Sequence, residues 1–344
     1  MKKVIIATFI TLTISAAYSQ EKINLPSADS IQAMLIKMNV PGVSIATIEN
    51  GVINKVMSVG QIMNKKPTPI DAIFNTASLA KAITAYLTVS LVEEGKLAMD
   101  EKLYKYWIDP DLKGDKRVKK LTPDIILSHR TGFDNWRTMN DEQKLRFNSD
   151  PGTAFSYSGE GYEYLRKSLE IKFDKTFSEL VEAHILGPLN MQNTYLSWSD
   201  EVDEKTYAGE FKSLNEPYEI TKSAPSAADD LLTTALDLGK FCEKLLERIS
   251  TGAYHQYIEA KTEAMPGIKF SYGWIRFDEL PNGGYALFNA GGDTGVSAMM
   301  CLLPETKEGI VILSNGENRG MVINLMKMAL GANGAEMVSR FPQG

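Results

Sequence analysis

The stretch Phe74-Asn75-Thr76-Ala77-Ser78-Leu79-Ala80-Lys81 opens a strongly apolar helical pattern that runs to Gly95. Ser78 and Lys81 are three residues apart, so a helix places their side chains on one face, about one turn apart. Ten of the 14 residues from Leu79 to Val92 are apolar and cover nearly every side of the helix, which is typical of a buried helix. An amine in such an interior needs a partner or gives up its proton. A serine beside it is a candidate nucleophile for acyl transfer.

The composition is that of an ordinary globular protein and argues against nucleic acid as a partner. The 344 residues are 44% hydrophobic and 23% charged, which is ample for one large domain. The formal net charge is -6, and an acidic chain without a long basic tract is a poor match for polyanions. Cys242 and Cys301 are the two cysteines, and the sequence leaves open whether they pair or remain buried thiols.

The first residues have the pattern of an export signal. Lys2 and Lys3 precede the apolar segment Val4 to Ile14, and small residues follow just before Gln20. The apolar segment is too short to span a bilayer. We therefore predict a signal peptide over residues 1–19 and a periplasmic or secreted protein without a stable membrane anchor.

The periodicity predicts an α+β fold. Two strands, Val43 to Ile48 and Val52 to Val59, meet at a tight turn over Asn50-Gly51. From residue 270 onward the apolar period is two, and the predicted strands are Phe270 to Phe277, Tyr285 to Asn289, Val296 to Leu303 and Gly309 to Leu313. Helical patterns include Asp229 to Leu246 and a closing helix from Asn318 to Leu330. We expect one antiparallel sheet built from both chain ends and flanked by helices.

A single domain over residues 20–344 is the expected organisation. The sheet lobe comprises about residues 20–96 and 224–344, and a mainly helical lobe of about residues 97–223 is inserted between them.

The ordered motifs of the chain resemble the serine β-lactamase and penicillin-binding-protein superfamily, in its class C β-lactamase-like branch of D,D-peptidases, esterases and D-amino-acid amidases. The resemblance rests on residues 74–81 as the first motif, Leu127-Ser128-His129-Arg130-Thr131-Gly132-Phe133, the tyrosine motif Pro151-Gly152-Thr153-Ala154-Phe155-Ser156-Tyr157-Ser158, and Gly292-Asp293-Thr294-Gly295 in the place of the third motif. It implies a β-lactamase/transpeptidase-like fold.

The same resemblance implies the roles of individual residues. Ser78 is the nucleophile, and Lys81 and Tyr157 shuttle its proton. The backbone N–H groups of Ser78 and Val296 hold the oxyanion. The substrate-binding residues are Gly159, Asp293, Thr294, Gly295 and Val296. The resemblance brings no cofactor, and the wide spacing of His129, His184 and His255 predicts structural histidines rather than a metal site.

Two departures from the family pattern bear on the substrate. Gly159 stands where the tyrosine motif usually has Asn, so a polar contact to a substrate amide is missing. Asp293 stands where the third motif usually has Lys or His, and an aspartate there repels the carboxylate of a β-lactam or of a D-Ala-D-Ala terminus. We predict an exported serine hydrolase for an ester or amide, small molecule or peptide, and disfavour β-lactamase and D,D-carboxypeptidase activity.

Several alternatives stay open at this point. Lys81 is a solvated lysine in one of them, Tyr157 an ordinary core aromatic in another, and residues 292–295 only a hairpin turn in a third. An acyltransferase differs from a hydrolase only in the acceptor that captures the acyl group. A protein that is acylated without turnover, or that only binds cell-wall fragments, is a second functional class. The sequence does not indicate an oligomeric state.

Overall fold

A computed structural model describes residues 23–199, 201–220, 222 and 224–341, so the predicted signal peptide lies outside the described residues. The strands are β1 Gly42–Glu49, β2 Val52–Gly60, β3 Phe74–Asn75, β4 Phe211–Ser213, β5 Glu216–Pro217, β6 Leu232–Thr233, β7 Thr262–Met265, β8 Ile268–Phe270, β9 Ile275–Phe277, β10 Ala286–Asp293, β11 Val296–Leu303 and β12 Glu308–Ser314. The α-helices are α1 Ala28–Met38, α2 Ala80–Glu93, α3 Pro123–Leu127, α4 Gly159–Phe173, α5 Phe177–Val181, α6 Ala235–Ser250, α7 His255–Ile258 and α8 Arg319–Ser339.

The main sheet has eight antiparallel strands in the order β2-β1-β12-β11-β10-β9-β8-β7. The first two strands of the chain therefore pair beside the last one. This arrangement confirms the predicted α+β fold, with one antiparallel sheet built from both chain ends and flanked by helices. The small pair β3 and β6 lies apart from the main sheet and carries the segment that precedes α2.

Two hydrophobic cores cover the two faces of the sheet. Along β11, Ala298 and Met300 face a core that includes α2 and α6, whereas Met299 and Cys301 face a core that includes α1 and α8. This alternation follows from the two-residue period of a strand, which sends successive side chains to opposite faces. Helix α2 is buried on nearly all sides, as its apolar pattern predicted. Both cysteines are buried and free.

The predicted continuous strand from Phe270 to Phe277 is wrong in its middle, because the chain turns between β8 and β9. Gly273 has a φ of +75°, and a Cβ on it would lie 2.7 Å from the Cβ of Ala85 and 3.0 Å from the carbonyl oxygen of Lys81. Only glycine fits this close approach of the turn to α2.

The predicted helix from Asp229 to Leu246 is wrong at its start. Helix α6 begins at Ala235, because the Thr234 hydroxyl caps it by accepting a hydrogen bond from the Asp237 N–H. Asp229 and Asp230 therefore lie in a loop before β6. Among the described residues, no helix has both the length and the apolar character needed to cross a bilayer.

Candidate active site

Ser78 lies on a tight turn between β3 and α2. The Asn75 side chain accepts a hydrogen bond from the Ala77 N–H at 2.9 Å, and Ala77 adopts a φ of 47°, a conformation that is uncommon for residues other than glycine. A short 3-10 turn over Ala77–Leu79 then leads directly into α2. Ser78 is thereby presented at the N-terminal end of a buried helix, where backbone N–H groups favour negative charge.

Lys81 is buried, with 2% of its surface exposed, and its amine is held by hydrogen bonds. Its Nζ donates to Ser78 Oγ at 3.0 Å and to the carbonyl oxygen of Ala228 at 2.7 Å. The same Nζ lies 4.8 Å from the ring centroid of Tyr157 and 5.8 Å from that of Tyr162. The structure therefore brings the three predicted catalytic residues, Ser78, Lys81 and Tyr157, to one place. An amine in contact with a serine hydroxyl is placed to take part in transferring its proton.

The loop that carries Tyr157 is fixed by the segment of residues 129–135. The Ser156 N–H donates to the carbonyl oxygen of His129 at 2.7 Å, and the Ser158 N–H donates to its Nδ1 at 3.1 Å. The Gly159 N–H donates to Asn135 Oδ1 at 2.8 Å. Burial, reinforced by the nearby charge of Lys81, holds the pKa of His129 well below its usual range. His129 is therefore a neutral support beneath the tyrosine motif.

Gly159 is buried against an aromatic ring. A Cβ at this position would lie 2.6 Å from the Cη2 and Cζ2 atoms of Trp136. The Trp136 indole thus occupies the space into which a side chain at position 159 would extend. This packing gives a physical reason for glycine here, whereas substrate binding by Gly159 stays a prediction.

Strand β10 passes close to the nucleophile turn at Gly291. A Cβ on Gly291 would lie 2.0 Å from the carbonyl oxygen of Thr76 and 3.3 Å from the Ser78 nitrogen. The resemblance placed the third motif at residues 292–295, but the tripeptide beside Ser78 is Asn289-Ala290-Gly291. The Asn289 side chain donates to the carbonyl oxygen of Gly273 at 2.7 Å and is neutral.

The hairpin register also bears on the oxyanion site. Asp293 pairs with Val296 across a two-residue turn, Thr294-Gly295, in which Gly295 has a φ of +71°. The two residues that flank such a turn hydrogen-bond to each other through their backbones. The backbone N–H and C=O groups of the next pair along the strands point away from the partner strand. The Val296 N–H therefore bonds within the hairpin, and its expected role as an oxyanion donor does not fit. Strand β9 pairs with β10 only at residues 286–288, so the Gly292 N–H points to the part of the β10 edge that β9 leaves open.

A small cavity of about 60 Å³ lies behind the nucleophile. Its lining includes Lys81, His129, Tyr157 and Asn289. This arrangement places the neutral imidazole of His129 on the same cavity wall as the lysine and the tyrosine. Lys81 and His129 are buried there, where hydrogen bonds and charges act more strongly than in water, whereas Tyr157 is half-buried.

A larger cavity of about 520 Å³ opens beside the nucleophile turn and is strongly acidic. It is lined by Asn75, Glu210, Tyr218, Glu219, Asp230, Asp293 and Thr294. Carboxylate oxygens of Asp229, Asp230 and Asp293 lie within 4.8 Å of one another. Burial and the two neighbouring aspartates raise the pKa of Asp229 to about 6, although the charge of Lys81 opposes this. Burial likewise raises the pKa of Glu210.

The sequence identified only Asp293 in this acidic group. Asp229 and Asp230 were assigned to a helix, and Glu210 belonged to no motif. A usable signal was the pair of adjacent aspartates just before the Thr234-Ala235-Leu236-Asp237 cap, since helix caps place the preceding residues in a loop. The three aspartates offer hard oxygen ligands, but three carboxylates alone define no coordination geometry for a metal.

Comparison with known proteins gives a match over most of the chain. The family profile described as Beta-lactamase matches residues 28–332. The putative fimbrial assembly protein FimD, serogroup D, of Dichelobacter nodosus is 29% identical over 134 residues, which are 34% of this chain and 34% of that protein. The chain thus matches about a third of the length of this relative. Penicillin-binding protein 4 of Amycolatopsis lactamdurans is 21% identical over 323 residues, with 84% of each chain covered.

Solved structures share the fold. The octameric penicillin-binding protein homologue from Pyrococcus abyssi has a TM-score of 0.74 at 22% identity, covering 90% of this chain and 79% of that one. A class C beta-lactamase has a TM-score of 0.73 at 19% identity, covering 92% of this chain and 95% of that one.

Proposed function

The chain belongs to the beta-lactamase family, whose superfamily comprises serine hydrolases, and from this premise we propose that it hydrolyses an ester or amide through an acyl-enzyme at Ser78. The main support for the proposal is the contact of 3.0 Å between Lys81 Nζ and Ser78 Oγ, with the Tyr157 ring beside the same amine. A binding protein has no need to bury a lysine against a serine hydroxyl, and such costly arrangements are typical of catalytic sites.

The proposed reaction has two steps. Ser78 Oγ bonds to the substrate carbonyl carbon while its proton passes to the Lys81–Tyr157 pair, and the negative oxygen that forms lies between the N–H groups of Ser78 and Gly292. The pair then protonates the departing alcohol or amine as its bond to the carbonyl carbon breaks. Water repeats the sequence on the acyl-enzyme, which releases a carboxylic acid and restores the Ser78 hydroxyl. Each oxyanion donor contributes about 3–4 kcal/mol in enzymes of this type.

The charge of the cleft favours a substrate without a carboxylate near the β10 end and with a cationic group there. Four acids line the larger cavity: Asp230, Asp293, Glu210 and Glu219. The tripeptide beside the nucleophile begins with the neutral Asn289 rather than with a cation. The guanidinium of Arg319 lies against Gly292, on the opposite face of the strand from Ser78, since neighbouring residues of a strand face opposite sides.

A charge-matched panel of aryl esters tests this substrate class. We expect the ratio of kcat/KM for an amine-bearing ester over its carboxylate-bearing counterpart to exceed one in the wild type. In Asp293→Lys the ratio falls by about tenfold, because two units of charge change a few ångströms from the bound group. Added salt lowers the wild-type preference, since exposed charges are screened. Glu259→Lys makes the same charge change at an exposed residue outside the cavity and serves as the matched control.

The outcomes separate two claims. A wild type that hydrolyses both esters equally, or an Asp293→Lys variant with an unchanged ratio, contradicts the charge argument but leaves the hydrolase proposal standing. Hydrolysis that survives in Ser78→Ala contradicts the hydrolase proposal itself. If a nucleophilic amine added to the reaction captures most of the acyl group in place of water, the protein is an acyltransferase.

We also propose that the enzyme acts outside the cytoplasm. This proposal rests on the charged and apolar segments before Gln20. Intact mass of the protein recovered from an exporting cell tests it, with the expected mature chain beginning near Gln20. A protein that retains residues 1–19 contradicts the proposal.

A further inference from the structure

His129 is the one described histidine that the chain buries beside the nucleophile, and the proposed reaction assigns it no proton transfer. Its ring stacks on that of Tyr157 with centroids 4.3 Å apart and planes inclined by 30°. It also faces the ring of Tyr162 at 5.2 Å. His129 itself has a φ of 55°, an uncommon conformation that tertiary packing must hold in place.

The hydrogen bonds of His129 define its protonation state. Nδ1 accepts from the Ser158 N–H at 3.1 Å, so the proton of the neutral ring is on Nε2. The charged and titratable groups that face the ring are Lys81 from α2, Tyr157 from its own loop and Tyr162 from α4. None of these groups is a carboxylate that would pair with an imidazolium. Burial beside a lysine also disfavours a second positive charge on the ring.

We propose that His129 is a positioning residue, whose neutral imidazole holds the Tyr157 ring beside the Lys81 amine through the Nδ1 bond to the adjacent Ser158 N–H and through ring stacking. The backbone of its loop sets the position of Tyr157, and the residues on either side of Tyr157 both hydrogen-bond to His129. The Ser156 N–H reaches the His129 carbonyl oxygen, and the Ser158 N–H reaches the imidazole. A displaced loop moves the Tyr157 ring, whose centroid lies 4.8 Å from Lys81 Nζ, and small misplacements of a catalytic group are costly in rate.

Two substitutions separate the parts of this role. His129→Phe keeps an aromatic ring beside Tyr157 but leaves the buried Ser158 N–H without its acceptor. His129→Asn removes the ring and offers an amide oxygen near the position of Nδ1. Each variant is compared with the wild type in the rate of Ser78 labelling by a fluorophosphonate, in kcat and KM for an aryl ester, and in the pH profile of labelling. His255→Phe, at an exposed histidine, is the matched control.

The inference rests on the proposed function, and the measurements keep the two apart. We expect labelling and kcat of His129→Phe to fall at least about tenfold with KM little changed, a shifted pH profile of labelling, and partial recovery in His129→Asn. Labelling at the wild-type rate per folded molecule, with an unchanged pH profile, overturns the inference even if the thermal midpoint falls. A wild type that is not labelled at Ser78 overturns the proposed function instead.

Discussion

Asp229→Asn should stabilise the protein at neutral pH, because the native carboxylate is held where ionisation is unfavourable. Burial and the nearby Asp230 and Asp293 raise the pKa of Asp229 from its ordinary value of 3.8 to about 6. The folded state therefore keeps the Asp229 proton over a pH range in which the unfolded chain has lost it. By linkage, the free energy of unfolding falls as pH rises through this window, between about 4 and 6.

The size of the effect follows from the shift. A difference of about two pKa units corresponds to roughly 3 kcal/mol at 1.36 kcal/mol per unit. The wild type carries this full cost at pH 7.5, and it carries almost none at pH 3.5, where the carboxyl is mostly protonated in both states. Asparagine is neutral throughout, and its Oδ1 can still accept the hydrogen bond that Asp229 Oδ1 accepts from the Asp230 N–H at 3.1 Å. The variant should thus gain roughly 2–3 kcal/mol at pH 7.5 and nothing near pH 3.5.

Urea unfolding of both proteins at several pH values from about 3.5 to about 7.5 measures this difference. Glu259→Gln, at an exposed acid outside the cavity, is the control and should show no pH-dependent gain. An Asp229→Asn variant that is no more stable than the wild type at pH 7.5 refutes the reasoning. So does a gain of equal size at every pH, since it would come from packing and not from ionisation.

Two further substitutions test how the strand and the tyrosine loop meet the nucleophile. Gly291→Ala should lower the rate of Ser78 labelling by more than about 100-fold, because the new Cβ would lie 2.0 Å from the Thr76 carbonyl oxygen, and labelling at the wild-type rate contradicts this packing. Gly159→Asn should lower the free energy of unfolding in urea by about 1–3 kcal/mol, because its Cβ would lie 2.6 Å from the Trp136 indole. Trp136→Ala in the same chain should recover part of that loss, and a Gly159→Asn variant of wild-type stability contradicts the account.

The sequence predicted the fold and the contact between Ser78 and Lys81 well because these depend on strong local signals. The apolar pattern of residues 79–92 predicts a buried helix whatever surrounds it, and the Ser78–Lys81 spacing predicts a contact within one helical turn. The period of two after residue 285 likewise identified β10 to β12, since each of those strands has one face on each core. The α+β arrangement followed from the position of these strands at both chain ends.

The other features of the site depend on contacts between distant parts of the chain, which no local sequence pattern encodes. The third motif was placed at the turn-like Gly292-Asp293-Thr294-Gly295, but the close approach of Gly291 to Thr76 decides which residues face Ser78. The position of Asp229 depends on where α6 is capped, and capping signals compete with helix propensity in a continuous amphipathic pattern. His129 was expected to be structural, and its stacking on Tyr157 is a contact between residues far apart in the chain.

The most direct test of the account is the site of covalent labelling. Wild-type protein is mixed with a fluorophosphonate, its intact mass is measured, and the modified peptide is identified. We expect a single adduct, located on Ser78, that is lost in Ser78→Ala. A wild type that gains no mass, or an adduct on any other residue, would contradict the claim that Lys81 activates Ser78 for acyl transfer.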